Sequence, residues 1–236
     1  MNLRFILKDE AIFIADSHYN KKNQEFKIIL EKIKNGEIFC SQIFLMGDNF
    51  DFISGESRYF VKKYQNLIDN INTLSISHEI FYLEGNHDYN LQTLFPNIRV
   101  LKREKQPLLL EYEDKKIALS HGDNFINWHY NLYCKIIRNS YFLYFLNLLD
   151  INFFISKKIE KSLENKNICH NLTYFEELVN KRVKNYSEDI VIEGHYHQAK
   201  SYKIGNKDYI NIPSLACQKS FTRFKNGKFL NEKLED

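Results

Sequence analysis

Five short polar clusters in the sequence combine aspartate, histidine and asparagine, whose side chains can bind metal ions. They are Asp16-x-His18, Gly47-Asp48-Asn49, Gly85-Asn86-His87-Asp88, His121-Gly122-Asp123 and Gly194-His195-x-His197. Carboxylate, imidazole and amide groups suit Zn²⁺, Mn²⁺ or Fe²⁺, and the clusters lack the cysteines of a structural zinc site. Side chains at i and i+2 of an extended segment point to the same side, so the first and last clusters can each present two ligands together. One such cluster alone is usually a turn, whereas five together indicate a two-metal hydrolytic centre.

Each cluster follows a short apolar run, and helical patterns separate the first three runs. Between the first two clusters, Phe26, Ile29, Leu30 and Ile33 recur at helical spacing. This alternation predicts βαβ units and a largely parallel sheet. Ligands of open α/β sheets bind outside the carboxyl ends of the strands, so the clusters should converge on one crevice.

The second half of the chain changes character twice. Residues 107–123 predict a β-hairpin that ends at His121, and residues 127–187 carry long helical patterns without glycine or proline. An apolar strand then leads to His195, and the GN and NG turns further on predict antiparallel strands. We therefore expect one domain over residues 1–236, with a helical cap, residues 127–187, inserted within it.

Composition narrows the classes of function. The chain has 236 residues, enough for one sizeable core, and a net charge of only +3, so we expect no nucleic-acid partner. The four scattered cysteines predict reduced thiols. The N-terminus does not resemble a signal peptide, and no apolar stretch approaches the ~20 residues that cross a bilayer. The sequence predicts a cytoplasmic protein.

The ordered motifs D-x-H, G-D-x, G-N-H-[DE], a lone His and G-H-x-H resemble those of the calcineurin-like metallophosphoesterases. The resemblance covers about residues 10–125 and 188–218. It implies an α/β fold of two stacked sheets flanked by helices, and two divalent metal ions, with Mn²⁺ expected first and Zn²⁺ or Fe²⁺ as alternatives. The implied ligands are Asp16, His18 and His197 for the first metal, Asn86, His121 and His195 for the second, and Asp48 as the bridge.

Within this resemblance, His87 stays off the metals and acts on the substrate. It would stabilise the transition state of phosphoester hydrolysis or protonate the leaving oxygen. Asp88 would orient His87 through a hydrogen bond, with a helix cap as its alternative role. We therefore expect His87 and Asp88 to be catalytic residues.

The surroundings of the motifs also resemble one branch of that family, the UDP-2,3-diacylglucosamine pyrophosphatases of lipid A biosynthesis. The shared features are GDNFDF at residues 47–52, HGD at residues 121–123 and the helical insertion. They imply a peripheral enzyme at the cytosolic face of the inner membrane that releases UMP and 2,3-diacylglucosamine 1-phosphate. The sequence departs from the branch at His87, where the branch has arginine, and at Tyr196, where it has threonine.

The insertion itself allows more than one interpretation. Residues 141–155 are apolar around almost the whole helix, which indicates an acyl-chain pocket, a cap core or a dimer interface. Nearby cations could bind the diphosphate or an anionic membrane, or could form a solvated helix face. They are Arg138, Lys157, Lys161 and Lys166, together with Lys158. A soluble phosphodiesterase or phosphatase acting on a nucleotide or phosphoprotein, and an inactive binding protein, stay as alternatives.

Overall fold

The structure is a computed structural model that describes residues 4–235. Its first half alternates strands and helices: β1 (Phe5–Ile6), β2 (Ala11–Ile14), α1 (Glu25–Lys34), β3 (Gln42–Leu45), β4 (Ile53–Ser54), α2 (Arg58–Lys63), α3 (Gln65–Leu74), β5 (Glu79–Leu83), β6 (Asp88–Tyr89), β7 (Arg99–Leu101), β8 (Leu108–Tyr112) and β9 (Lys115–Ser120). Its second half contains α4 (Trp128–Ile137), α5 (Ser140–Leu149), α6 (Phe154–Glu164), α7 (Phe175–Arg182), β10 (Ile190–Glu193), β11 (Ser201–Ile204), β12 (Lys207–Asn211), α8 (Leu215–Gln218), β13 (Ser220–Lys225) and β14 (Lys228–Lys233).

Two six-stranded sheets carry the fold. One sheet has the order β1-β8-β9-β10-β12-β11 and the other has the order β14-β13-β2-β3-β5-β7. The strands that lead to the polar clusters run parallel within their sheets: β2, β3 and β5 in one, β9 and β10 in the other. The predicted hairpin over residues 107–123 is confirmed by the antiparallel pair of β8 and β9.

The strands that lead to the polar clusters are largely buried on both faces. Phe13, Phe44 and Phe81 lie in the core between the sheets, with ring centroids 4.7 Å apart for the first pair and 5.0 Å for the second. Alternate residues of the same strands, such as Ile12 and Ile43, pack on the other face against α1, α2 and α3. The predicted α/β fold of two stacked sheets with helices outside is confirmed.

Helices α4 to α7, which lie between β9 and β10 in the sequence, differ in how they pack. Helix α7 lies on the outer face of the first sheet, where Phe175 and Val179 contact Val191 and Tyr209. Helices α4 to α6 instead expose large apolar side chains, including Tyr141, Ile151 and Phe154, which are 87%, 74% and 71% exposed. Within residues 4–235, no helix combines the length and apolarity needed to cross a membrane.

The prediction of four reduced cysteines is wrong for one pair. Cys169, in the coil between α6 and α7, forms a disulfide with Cys217 of α8. Cys40 and Cys134 are free and buried, as expected for reduced thiols. The pair escaped prediction because its members lie 48 positions apart and only the tertiary fold brings them together.

Candidate metal centre

All seven residues predicted as metal ligands converge where the two sheets meet. Asp16, His18 and His197 place ligand atoms within 4.8 Å of one another, and so do Asp48, His121 and His195. Asn86, the seventh, directs its amide oxygen at Nε2 of His121, 3.3 Å away. Each of these side chains lies one to four residues beyond the carboxyl end of a strand, as the parallel topology requires.

Hydrogen bonds fix which nitrogen of two histidines faces the centre. Nδ1 of His121 lies 2.9 Å from the carbonyl of Met46, and Nδ1 of His197 lies 2.9 Å from the carbonyl of Ile168. Because a carbonyl only accepts, each Nδ1 must carry a proton, which leaves the Nε2 lone pair of a neutral ring directed at the centre. Such outer contacts fix the tautomer and orientation of metal-binding histidines.

These Nε2 lone pairs face carboxylate oxygens, which indicates a site for positive charge between them. Nε2 of His197 lies 3.3 Å from Oδ1 of Asp16, and Nε2 of His121 lies 3.6 Å from Oδ2 of Asp48. Among the described residues, Oδ1 of Asp16 and Nδ1 of His18 are buried without a hydrogen-bond partner. Two hydrogen-bond acceptors at such distances need a proton or a cation between them. These carboxylate oxygens and imidazole nitrogens therefore suit the binding of divalent metal ions.

The ionisation of the centre agrees with a cation site. Burial would raise the pKa of Asp48, but His121 and neighbouring histidines hold it well below its usual range. Burial lowers the pKa of His18 to about 3 and that of His195 to about 4. Burial would also lower the pKa of His121, but Asp48 and other carboxylates raise it to about 9, so the surroundings of this ring favour a positive charge.

The backbone at the ligands adopts a conformation that side chains rarely tolerate. Five of the predicted ligands have positive φ angles: Asp16 at 50°, His18 at 41°, Asp48 at 51°, His195 at 64° and His197 at 56°. Such angles are uncommon outside glycine and cluster at functional sites. The strain indicates that the loops are shaped to aim these side chains at one point.

Two glycines let the strand ends approach closely. A Cβ atom on Gly85 would lie 2.2 Å from Oδ1 of Asp48, and one on Gly47 would lie 2.5 Å from Nδ1 of His121. Any side chain at either position would displace a ligand. These two positions therefore require glycine because a larger residue would clash with Asp48 or His121.

His87 lies beside two of the predicted ligands, Asp48 and His18. Its Nδ1 lies 2.5 Å from the carbonyl of Asp51, and its ring centroid lies 5.0 Å from that of His18. It also groups with His18 and Asp48 as a third set of atoms that could hold a metal. The half-buried ring therefore lies at the edge of the candidate metal centre.

Asp88 has a different role from the expected one. Its carboxylate accepts hydrogen bonds from the backbone amides of Asp48, Asn49 and Gly85 at 2.9, 2.9 and 2.7 Å, and from the hydroxyl of Tyr82 at 2.6 Å. The expected hydrogen bond to His87 is replaced by these contacts, and Asp88 lies in β6 instead of capping a helix. The expectation was wrong because it considered only sequence neighbours. Asp88 holds together the two loops that carry Asp48 and Asn86.

The cations predicted to bind substrate lie in different surroundings. The guanidinium of Arg138 lies 2.5 Å from the carbonyl of Gly85 and 3.5 Å from the carboxylate of Glu84, so it braces the Asn86 loop. Lys157 and Lys161 are exposed on α6. Lys166 lines a cavity that reaches Asn86 and His87.

That cavity has a volume of about 500 Å³ and is mostly apolar. Its floor is Asn86 and His87, and its walls come from Phe52, Tyr89 and helices α4 to α6. The walls from those helices are Tyr130, Tyr133, Ile137, Phe142, Leu143, Leu146, Ile159 and Leu163. An apolar space therefore opens directly on the metal centre.

Sequence reasoning missed Asp51 and Ile168. The Asp51 carbonyl holds His87, and its carboxylate lies 3.8 Å from Nδ1 of His18. Burial raises the pKa of Asp51 to about 6. Asp51 belongs to the GDNFDF segment, but nothing in that segment indicated its contact with His87. Ile168 contributes a backbone carbonyl, and such a contact has no sequence signature.

Comparison with known proteins agrees with this geometry. The sequence profile described as calcineurin-like phosphoesterase matches residues 11–199. The chain belongs to the calcineurin-like phosphoesterase family. As a member, it is a metal-dependent phosphoester hydrolase.

Two curated relatives carry the same name. A UDP-2,3-diacylglucosamine hydrolase of Wigglesworthia glossinidia brevipalpis is 21% identical over 220 residues, covering 84% of each chain. A UDP-2,3-diacylglucosamine hydrolase of Proteus mirabilis is 23% identical over 197 residues, covering 80% of this chain and 82% of the relative. Among solved structures, an archaeal phosphodiesterase aligns with 95% of this chain and 99% of its own at a TM-score of 0.48 and 14% identity.

Proposed function

We propose that this phosphoesterase hydrolyses UDP-2,3-diacylglucosamine to UMP and 2,3-diacylglucosamine 1-phosphate, a step of lipid A biosynthesis. The observation that carries the proposal is the apolar cavity that ends at Asn86 and His87 of the metal centre. A pyrophosphate at the centre would place attached acyl chains in this cavity. The names of the two curated relatives support the same substrate.

The cavity has a size and lining suited to hydrocarbon. Ligand pockets typically measure roughly 300–1,000 Å³ and combine apolar walls with a few polar groups that orient the ligand. Here the polar groups are Asn86, His87 and Lys166, and the remaining walls are aromatic or aliphatic apart from the tyrosine hydroxyls. We infer that residues 127–187 act as a cap, in which α4 to α6 hold the acyl chains and α7 anchors the segment to the first sheet.

The ligands divide between two ions. Asp16, His18 and His197 would hold one metal ion, and Asn86, His121 and His195 would hold the other, with Asp48 between them. When bound, two divalent cations supply an activated water and stabilise the charge that develops on the phosphoryl oxygens. We take Mn²⁺ as the first metal to test, with Zn²⁺ and Fe²⁺ as alternatives.

The chain's own residues supply the remaining steps. His87, held by the Asp51 carbonyl, would donate a hydrogen bond or a proton to the phosphate from Nε2. The carboxylate of Asp88 fixes the loops of Asp48 and Asn86 relative to each other by accepting hydrogen bonds from backbone amides in both. Arg138 supports the second loop from behind through the Gly85 carbonyl, and Lys166 contributes positive charge at the cavity.

We also propose that the exposed apolar surface of α4 to α6 rests on the cytosolic face of an anionic membrane. This outer surface includes Trp128, Leu132, Tyr141, Tyr144, Leu148, Ile151 and Phe154. Lys157 and Lys158 lie on the same segment and are exposed. An apolar surface flanked by lysines binds anionic bilayers through both burial and charge.

Mass spectrometry of the products tests the substrate. We would incubate the protein with Mn²⁺, detergent and UDP-2,3-diacylglucosamine, with Asp48→Asn as the control. UMP and the diacyl sugar 1-phosphate, absent in the control, are the expected products. Cleavage of a soluble aryl phosphodiester with the lipid substrate left intact would overturn the lipid assignment and favour a soluble phosphodiesterase. Metal binding without turnover of any phosphoester would favour a binding protein.

A further inference from the structure

The disulfide lies against one half of the metal centre. Cys169 directly follows Ile168, whose carbonyl accepts the Nδ1 hydrogen of His197. Its partner Cys217 lies in α8 with its sulfur 3.6 Å from the same Nδ1. The disulfide therefore joins the residue after the acceptor to a helix that touches the ring of this ligand.

Helix α8 is itself attached to the first metal site. The backbone amide of Ala216 donates to the carbonyl of Asp16 at 3.2 Å, and the Ser214 hydroxyl donates to the same carbonyl at 2.8 Å. The disulfide thus holds the coil of Ile168 against the strand end that carries Asp16. Asp16 and His197 belong to the same group of predicted ligands, whereas His121 belongs to the other group and its Nδ1 is oriented by the carbonyl of Met46.

The coil has few other attachments near this point. Gln198 donates to the carbonyl of His170 at 2.7 Å and accepts from the amide of Leu172 at 3.0 Å. Residues 166–172 form no helix or strand of their own. The position of the Ile168 carbonyl therefore depends on the disulfide on one side and on Gln198 on the other.

We propose that the Cys169–Cys217 disulfide is a redox-responsive site that sets the affinity of the first metal site, with Ile168 as the positioning residue for His197. The inference rests on the metal centre of the proposed function. A cytosolic disulfide is commonly transient or redox-sensing, which fits the proposed location. The exposure of Cys169 makes it open to attack by a thiol.

The exchange chemistry balances with a dithiol as reductant. A dithiol thiolate attacks the sulfur of Cys169, the bond between the two cysteines breaks, and Cys217 leaves as a thiolate that takes up a proton. The second thiol of the reductant then displaces Cys169. The two cysteines gain two electrons and two protons in total, and the reductant becomes a disulfide. Glutathione disulfide reverses the change.

Reduction removes one anchor of the Ile168 carbonyl, so His197 loses orientation. Loss of an outer contact to a metal-binding histidine typically weakens metal affinity about 10–100-fold. Because Gln198 still holds the coil, we expect the lower end, about tenfold. Only one of the two metal equivalents should weaken, since the disulfide contacts His197, whereas His121 is oriented by the Met46 carbonyl.

Calorimetric titration of Mn²⁺ into metal-free protein tests the inference without any substrate. The protein is measured after oxidation with glutathione disulfide and again in a phosphine, which reduces the disulfide while water supplies the oxygen of the phosphine oxide and the two thiol protons. The double variant Cys169→Ser/Cys217→Ser is the matched control, with circular dichroism to check its fold. If the double variant is unfolded, Cys169→Ala alone replaces it.

The expected result is about tenfold weaker binding of one equivalent in the reduced protein and in the variant, with no further effect of the phosphine on the variant. Equal affinities in both redox states would overturn the inference and leave the proposed function intact. Equal weakening of both equivalents would also overturn it, because a general loss of structure would explain the change. Failure to bind Mn²⁺, and then Zn²⁺ or Fe²⁺, in either state would overturn the inference and the metal-dependent function together.

Discussion

His87 lies where a substrate phosphate and a metal ion could both reach it. We expect His87→Ala to lower kcat about 10²–10⁴-fold, the usual contribution of a general acid or base, while two metal ions per chain are retained. Steady-state kinetics and elemental analysis measure the two quantities. His78→Ala, which removes a histidine outside the five clusters, should leave both unchanged.

The alternative for His87 follows from its neighbours. Its ligand atom lies within 4.8 Å of those of His18 and Asp48, a geometry that could hold an ion. Loss of one metal equivalent in His87→Ala would make this residue a ligand and would leave the protonation step to another group.

The buried carboxyl group of Glu84 predicts how the free energy of unfolding depends on pH. Burial raises the pKa of Glu84 from 4.5 to about 7, although the Leu91 amide and Arg138 favour its charged form. Between these two values the folded chain binds more protons than the unfolded chain, so this residue makes the free energy of unfolding fall as pH rises from about 4.5 to 7. Glu84→Gln should reduce that fall by up to ~3 kcal/mol. Urea unfolding at pH 5 and pH 7.5 measures it.

The exposed Glu113→Gln provides the matched control for Glu84. It removes a carboxylate from a turn at the protein surface, where solvent screens the charge. An identical pH dependence in the wild type and Glu84→Gln would show that the buried carboxylate does not titrate in this window.

At the scale of elements, the sequence predicted the helices that have apolar residues at helical spacing and the strands whose apolar runs end in polar residues. Phe26, Ile29, Leu30 and Ile33 form the buried face of α1, as their spacing indicated. The polar clusters could be placed at strand ends because each one terminates an apolar run in the sequence. The contacts of Asp88 and the Cys169–Cys217 pair could not be predicted, since they depend on which loops the finished fold brings together.

Helix α5 presents two leucines in different environments, which separates the two proposed roles of the cap. Leu146 lines the cavity, whereas Leu148 is 56% exposed on the outer surface. We expect Leu146→Asp to lower kcat/KM for the diacyl substrate in detergent at least about tenfold, because a charge in an apolar pocket is costly to desolvate. Hydrolysis of a soluble aryl phosphodiester should be unchanged, as measured in the same preparation.

Leu148→Asp should show the opposite pattern. Its detergent-based activity should equal that of the wild type, while its binding to anionic vesicles in a flotation assay should weaken. Equal losses of lipid hydrolysis in both variants would contradict the division of α5 into a cavity face and a membrane face.

For the whole molecule, the metal centre connects the two sheets. Asp16, Asp48 and Asn86 follow strands of one sheet, and His121 and His195 follow strands of the other, so bound ions would join both halves of the core. Ions that bind only the folded chain stabilise it by about 2.7 kcal/mol for each site at a free concentration 100 times Kd. For a chain of this size each kcal/mol raises Tm by roughly 2–4 °C. Saturating Mn²⁺ should therefore raise the Tm of chelator-treated protein by on the order of 10 °C in differential scanning calorimetry.

The same measurement on Asp48→Asn separates binding at the centre from general effects of a divalent cation. Loss of the shared carboxylate should remove most of the rise in Tm, because each group of ligands loses its charge from Asp48. An equal rise in this variant would place the stabilising ions elsewhere on the protein. A reduced rise would instead show that the stabilising ions bind at the centre that contains Asp48.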